Sequence, residues 1–207
     1  MKIIKGIGIA ILLVAFFYSC QTLKQITQTL TNLQRCQFKL ENVNGFQLAG
    51  VNLSNKGSLS DFSITDGLKL TKAFGTKKFP ADFILNVAAR NPNDGSGGTK
   101  QTSATLTGMD WRLFIDEVKT IEGNIDKSVE IPGTGQSSII PLRMSLDLYE
   151  FFGKQGYDGI VNLALALGGV KGSAAKIKLD AIPTVSTPLG DIAYPGRITI
   201  VDKEFRE

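Results

Sequence analysis

Residues 83–93 read FILNVAARNPN, and the reading of this stretch decides the fold. Phe83, Leu85, Val87 and Ala89 fall on alternate positions, the period of a strand that buries one face. The run stops at Asn91-Pro92-Asn93, where Pro fixes φ and Asn tolerates left-handed backbone, so a turn is expected there. Asp94, Gly95, Ser96, Gly97 and Gly98 then read as a loop tip.

The same period recurs on both sides. Upstream, Phe38 and Leu40, Phe46 and Leu48, and Val51 and Leu53 alternate with polar residues. Downstream, strands are expected over 102–107, 111–115, 123–131 and 137–144, with Asp116-Glu117 and Gly133-Thr134-Gly135 as separators, and again over 176–182, 191–194 and 197–201. Short strands divided by turn residues predict a mainly β chain, an immunoglobulin- or fibronectin type III-like β-sandwich. Three stretches break the rhythm as short helical inserts. In 63–74, Ser63 and Asp66 have capping-box spacing, and Ile64, Leu68 and Lys72 share a face. Helices are also expected over 145–152 and 157–167, the latter with Ile160, Leu163, Ala164 and Leu167 on one side and Gly168-Gly169 at its end. No stretch reads as a linker, so 37–207 is expected to be one domain.

The first residues differ from all this. Lys2 and Lys5 precede an uncharged apolar run over 6–17, which has the anatomy of a secretory signal and is shorter than the roughly 20 residues a spanning helix needs. Phe17-Tyr18-Ser19-Cys20 ends it and resembles a lipobox. The expected organisation is a lipoprotein signal peptide over 1–19, lipidation on Cys20, and a tether over 20–36 whose Leu23, Ile26, Leu30 and Leu33 give it a helical bias. Two or more acyl chains, at about 0.8 kcal/mol per buried methylene, hold a protein on a bilayer permanently. Gln21 stands where aspartate would retain a lipoprotein in the inner membrane of enterobacteria. The resemblance therefore points to the outer membrane, with the domain facing the periplasm.

Composition narrows the partners. The chain carries 23 basic and 19 acidic residues; without Lys2 and Lys5 the balance is 21 − 19 = +2, which points away from nucleic acid. About 190 residues can bury roughly 70% of their unfolded surface, so neither metal nor disulfide is required for folding. Cys36 is expected to be a buried small residue near a strand start rather than a reactive thiol.

Three stretches in order resemble the late embryogenesis abundant group 2 family, also called the water-stress and hypersensitive-response domain. They are the strand and Asn-Pro-Asn turn of 83–93, the hairpin of 125–144 with Ile131-Pro132 and Ser137-Ser138-Ile139-Ile140-Pro141, and the Thr187-Pro188-Leu189-Gly190 strand running to Pro195. The resemblance spans roughly 83–201 and implies a sandwich fold, a link to stress tolerance and no established catalytic site. The helical inserts and the Gly-rich tip depart from the family pattern.

No catalytic constellation is legible. Histidine is absent, which removes the commonest general base and zinc ligand. Asp110, Asp116, Glu117 and Glu122 could serve a glycosidase only if two of them face each other across a cleft; as turn carboxylates they guard strand edges. Asp94 beside Asn93 and Gly95 lacks the further oxygen ligands of a calcium loop. Asn52-Leu53-Ser54 is a formal glycosylation sequon read as strand sequence, and Trp111 is read as core. No catalytic, metal or cofactor site is expected, and the ligand is unknown. The expected function is a non-enzymatic structural or binding module, held on the membrane by the Cys20 lipid and contacting an envelope protein, polymer or lipid. The alternatives are an envelope glycan-processing hydrolase using loop carboxylates, or a carrier whose apolar pocket is lined by Leu68, Leu163 and Leu167.

Overall fold

The computed structural model describes residues 27, 36–96, 101–168, 175–187 and 190–205. Within them the chain is mainly β, and every strand pairing is antiparallel. One sheet holds β1 (Gln37–Leu48), β2 (Val51–Asn52), β3 (Pro80–Arg90) and β7 (Ser137–Asp147) in the order β2-β1-β3-β7. The other is built on β4 (Ala104–Ile115), β5 (Val118–Gly123), β8 (Ala175–Thr187) and β10 (Ile198–Phe205) in the order β10-β8-β4-β5. Two short strands, β6 (Val129–Ile131) and β9 (Gly190–Ala193), extend it against β4 and β8.

The opening stretch is β3, and its odd-numbered side chains from Ala81 to Ala89 are buried as the alternation requires. They join one hydrophobic cluster with Ile140, Leu142 and Met144 of β7, Trp111, Leu113 and Ile115 of β4, and Leu179 and Ala181 of β8. Among the described residues three α-helices interrupt the strands: α1 (Ile64–Gly75), α2 (Leu148–Phe152) and α3 (Gly156–Leu167).

The structure departs from the sequence expectations in four places. Strands expected over 102–107 and 111–115 are one strand, β4. Its buried positions run Ala104, Leu106 and then Met109, Trp111, so the phase changes between them. The register against β8 shifts between Leu106 and Gly108, and a bulge of this kind absorbs one residue and lets both halves face the core. Of the strand expected over 123–131 only Gly123, the end of β5, and Val129–Ile131, which is β6, are strand. The chain leaves β5 where the Asn124 side chain accepts from the Met109 and Ile125 N–H groups at 2.6 and 2.8 Å, and the strand over 118–122 was not expected. Residues 145–147, expected to be helical, continue β7, because Leu146 and Asp147 pair with Ala81 and Pro80 of β3. Asp147 then caps α2, its Oδ1 accepting from Tyr149 N at 2.9 Å and from Phe79 N at 2.7 Å.

The fourth correction concerns how Asn91-Pro92-Asn93 turns. Neither asparagine is among the non-glycine residues with positive φ, which among the described residues are Ala49, Lys77, Asp116 and Glu117. The asparagines act through their amides instead. Asn91 Oδ1 accepts from Asn93 N at 3.0 Å and Asn93 Nδ2 at 2.7 Å, while Asn91 Nδ2 donates to the carbonyls of Thr102 at 2.8 Å and Ile131 at 3.3 Å. Both side chains are buried, and the cluster ties the end of β3 to the entry of β4 and the exit of β6. Gly133 is needed beside it, since a Cβ there would lie 2.6 Å from the Asn93 and Thr102 carbonyl oxygens. Left-handed backbone is used at Asp116 and Glu117 (φ 48° and 68°), which form the two-residue hairpin between β4 and β5.

Candidate functional site

Cys20, the signal-like run over 1–19 and, apart from Thr27, the tether up to residue 35 lie outside the described residues, as do Gly97, Gly98, Gly169, Pro188 and Leu189. Cys36 is buried just before β1, and burial pushes its thiol up to about 11, which disfavours the nucleophilic thiolate.

Of the four carboxylates expected in turns, Asp116 and Glu117 lie in the hairpin loop, whereas Asp110 lies in β4 and Glu122 in β5, and each of the four has a donor on it. Asp110 binds Arg197 at 3.2 Å, Glu122 binds Lys119 at 2.7 Å, and Glu117 binds Lys176 at 3.4 Å. Asp116 accepts from the Lys176 backbone N–H at 2.9 Å. The Lys119 ammonium holds the Glu122 carboxyl below its ordinary range, the opposite of what a general acid needs. Asp94 closes a local turn, its Oδ1 accepting from Ser96 N and Oγ at 2.9 and 2.6 Å. Among the described residues no group of three or more His, Cys, Asp or Glu could hold a metal ion.

The densest charged cluster is one the sequence did not reveal. Trp111 and Leu113 point into the core, so Arg112 between them points outward, and its register partner on β8 is Asp180. Arg112 grips Asp180 with two bonds, Nε to Oδ1 at 2.9 Å and Nη2 to Oδ2 at 2.7 Å. Arg197 Nη1 reaches the same carboxylate at 3.3 Å, and its Nη2 bonds Asp110. Asp180 is 8% exposed, and the Arg112 guanidinium keeps its carboxyl below the usual range despite burial. The arrangement clamps β4, β8 and the segment entering β10 in register; it supplies no free acid or base. Oppositely charged residues on alternating strands were the only sequence signal, and the sequence does not say which strands are neighbours. Beside the cluster, a shallow groove of about 290 Å³ is lined by Phe114, Glu117, Lys176 and Lys178, with Lys178 Nζ 5.9 Å from the Phe114 ring centre.

A second feature is apolar. Leu163 and Leu167 of α3 are buried in the common core, whereas Leu68 of α1 is 67% exposed. The three therefore do not line one pocket, and the expectation that grouped them is corrected. Ile64 is 86% exposed and Leu59, ahead of the helix, 42%. The helix is turned this way by its other side, where Leu70 is buried and Phe74 meets Phe79, Tyr149 and Tyr157 edge-on at 6.3, 5.4 and 5.8 Å. Its start is fixed by the expected capping box, Ser63 and Asp66 each accepting from the other's N–H at 3.1 Å. Lys56 adds a 2.9 Å ion pair to Asp66, and its ammonium holds that carboxyl down to about 2.

Trp111 is core, as expected, packed so close to Gly123 that a Cβ there would lie 2.5 Å from the ring. Asn52 is exposed and accepts from Ser54 N at 2.8 Å.

No family model matches the chain, and no curated protein does. Three solved chains are similar to it, among them the following two. A crystal structure of a protein from Archaeoglobus fulgidus has 13% identity and a TM-score of 0.37, over 80% of this chain and 94% of that one. A solution structure described as a candidate late embryogenesis abundant protein has 16% identity and a TM-score of 0.36, over 93% of this chain and 88% of that one.

Proposed function

We propose that the chain is an outer-membrane lipoprotein, anchored through Cys20 and facing the periplasm, that works as a non-enzymatic binding or structural module. The observation that carries the reading is the order Lys2, Lys5, the apolar run over 6–17 and Cys20. The occupied carboxylates favour a binding module over a glycan hydrolase, because such a site needs a protonated carboxylic acid facing a second, unpaired carboxylate that serves as nucleophile or base. The finer fold reading is an immunoglobulin- or fibronectin type III-like sandwich of the late embryogenesis abundant group 2 kind, and with it comes a role in stress tolerance.

Replacing Cys20 with Ala tests the anchor. The variant is expected to accumulate as an uncut precursor that loses the detergent-phase partitioning of the mature form. Processing and membrane attachment unchanged by the substitution would end the lipoprotein reading. Protease added to intact cells is expected to leave the domain uncut until the outer membrane is permeabilised.

A further inference from the structure

We propose that the outward face of α1 is a docking surface for an anionic lipid bilayer. Two independent features converge on it. The first is the exposure of Ile64 and Leu68, one turn apart, on a helix whose opposite side is locked into the protein by Leu70 and Phe74. The second is charge. Lys69 and Lys72 on the helix and Lys77 and Lys78 just after it are all exposed, and none of the four is in an ion pair among the described residues. The acidic residue of the helix, Asp66, is already neutralised by Lys56. A helix with apolar residues on its outer side and lysines around them lies in the headgroup boundary, inserting the apolar residues while the ammonium groups meet lipid phosphates. Charge selects this occupant over a second copy of the chain, whose α1 would bring four more lysines against these.

The tether allows the contact. Cys36 precedes β1, and α1 sits beyond the other end of that strand, where β1 turns into β2. Twelve residues of strand span about 40 Å, and the fifteen residues 21–35 reach about 50 Å when extended. A chain anchored at Cys20 can therefore lie lengthwise with α1 on the same bilayer. Tethering also supplies a high effective concentration, so a patch of two large apolar residues suffices. The proposal rests on the lipoprotein reading for the tether that holds this small patch at the bilayer, and on the exposed face of α1 for the contact itself.

The test uses the full chain reconstituted into vesicles of phosphatidylcholine with about one-third phosphatidylglycerol, with flotation measured alongside lysine acylation read by mass spectrometry. Lys69, Lys72, Lys77 and Lys78 are expected to be acylated at least about threefold more slowly than without vesicles, relative to Lys39 and Lys127. The protection is expected to fall in pure phosphatidylcholine, in high salt and in the Ile64→Ser/Leu68→Ser variant. A chain that floats with these lysines unprotected overturns the docking surface and leaves the anchor standing. Flotation lost in the double variant means the anchor fails while docking holds, and a chain that never floats overturns both. Protection equal in pure phosphatidylcholine, or protection without lipid that grows with protein concentration, also overturns the proposal, the latter in favour of a second copy.

Discussion

The helices α1 and α3 are both twelve residues long, yet α1 buries only Leu70 while α3 buries Ile160, Val161, Leu163, Ala164, Leu165, Ala166 and Leu167. The sequence reading gave α3 an apolar face of Ile160, Leu163, Ala164 and Leu167, and α1 a face shared by Ile64, Leu68 and Lys72. For α3 that was too little: its burial continues around the helix, as for a segment enclosed in a core. For α1 it picked out the side that meets solvent, since Ile64 and Leu68 look outward and Leu70 and Phe74 hold the helix down. Helices of equal length are therefore a core element where the sequence is almost uncharged, as in α3, and a surface platform where Asp66, Lys69 and Lys72 interrupt the apolar residues, as in α1. What separates them is whether neighbouring strands leave a helix one free side or none.

The contrast is broken most directly at α3. Leu167→Ala removes a fully buried side chain and is expected to cost about 2–5 kcal/mol in urea unfolding. A loss below about 1 kcal/mol would mean that α3 is not part of the common core.

An intermediate effect is expected at the capped start of α1. Ser63→Ala removes the acceptor for Asp66 N and should cost about 1 kcal/mol, seen as faster amide exchange in the first turn of α1. The same turn should be acid-sensitive. The folded carboxyl of Asp66 is held at about 2 by Lys56, below its ordinary value near 3.9, so its contribution is complete above about pH 4 and is lost as pH falls toward 2. Asp66→Asn should abolish that part of the acid response; an unchanged response would assign it to other carboxylates.

The smallest effect is expected at Leu68. Leu68→Ser should change stability by no more than about 0.5 kcal/mol, because the side chain is 67% exposed. A cost like that of Leu167→Ala would show that Leu68 packs within the protein and would remove the basis for a docking surface.

Much of the strand content was legible because period-two burial leaves its mark on each strand separately. β3 and most of β7 were read correctly for this reason, and Asp116-Glu117 was read as a strand separator, but the strand that starts at Val118 and makes it a two-residue hairpin was missed. The bulge in β4 was not, because a phase change looks the same in sequence as a gap between two strands. The charged clamp was illegible for a different reason: Arg112, Asp180 and Arg197 lie far apart along the chain, and only the β4–β8 register makes the first two neighbours. The signal-like segment needed no fold at all, since charge order, an apolar run and a cysteine are properties of contiguous sequence.

The sequence by itself determined that the chain is mainly β, that Ser63 starts a helix, and that residues 83–93 form a strand ending in a turn. Each of these follows from side chains within a few positions of one another. Tertiary structure decided that Asn91 would bond Thr102 and Ile131, that Arg112 would grip Asp180, and that α1 would turn Ile64 and Leu68 to solvent. Those outcomes depend on which strands become neighbours and which face of a helix finds a partner. Local periodicity gives a segment its faces, but packing decides what each face meets.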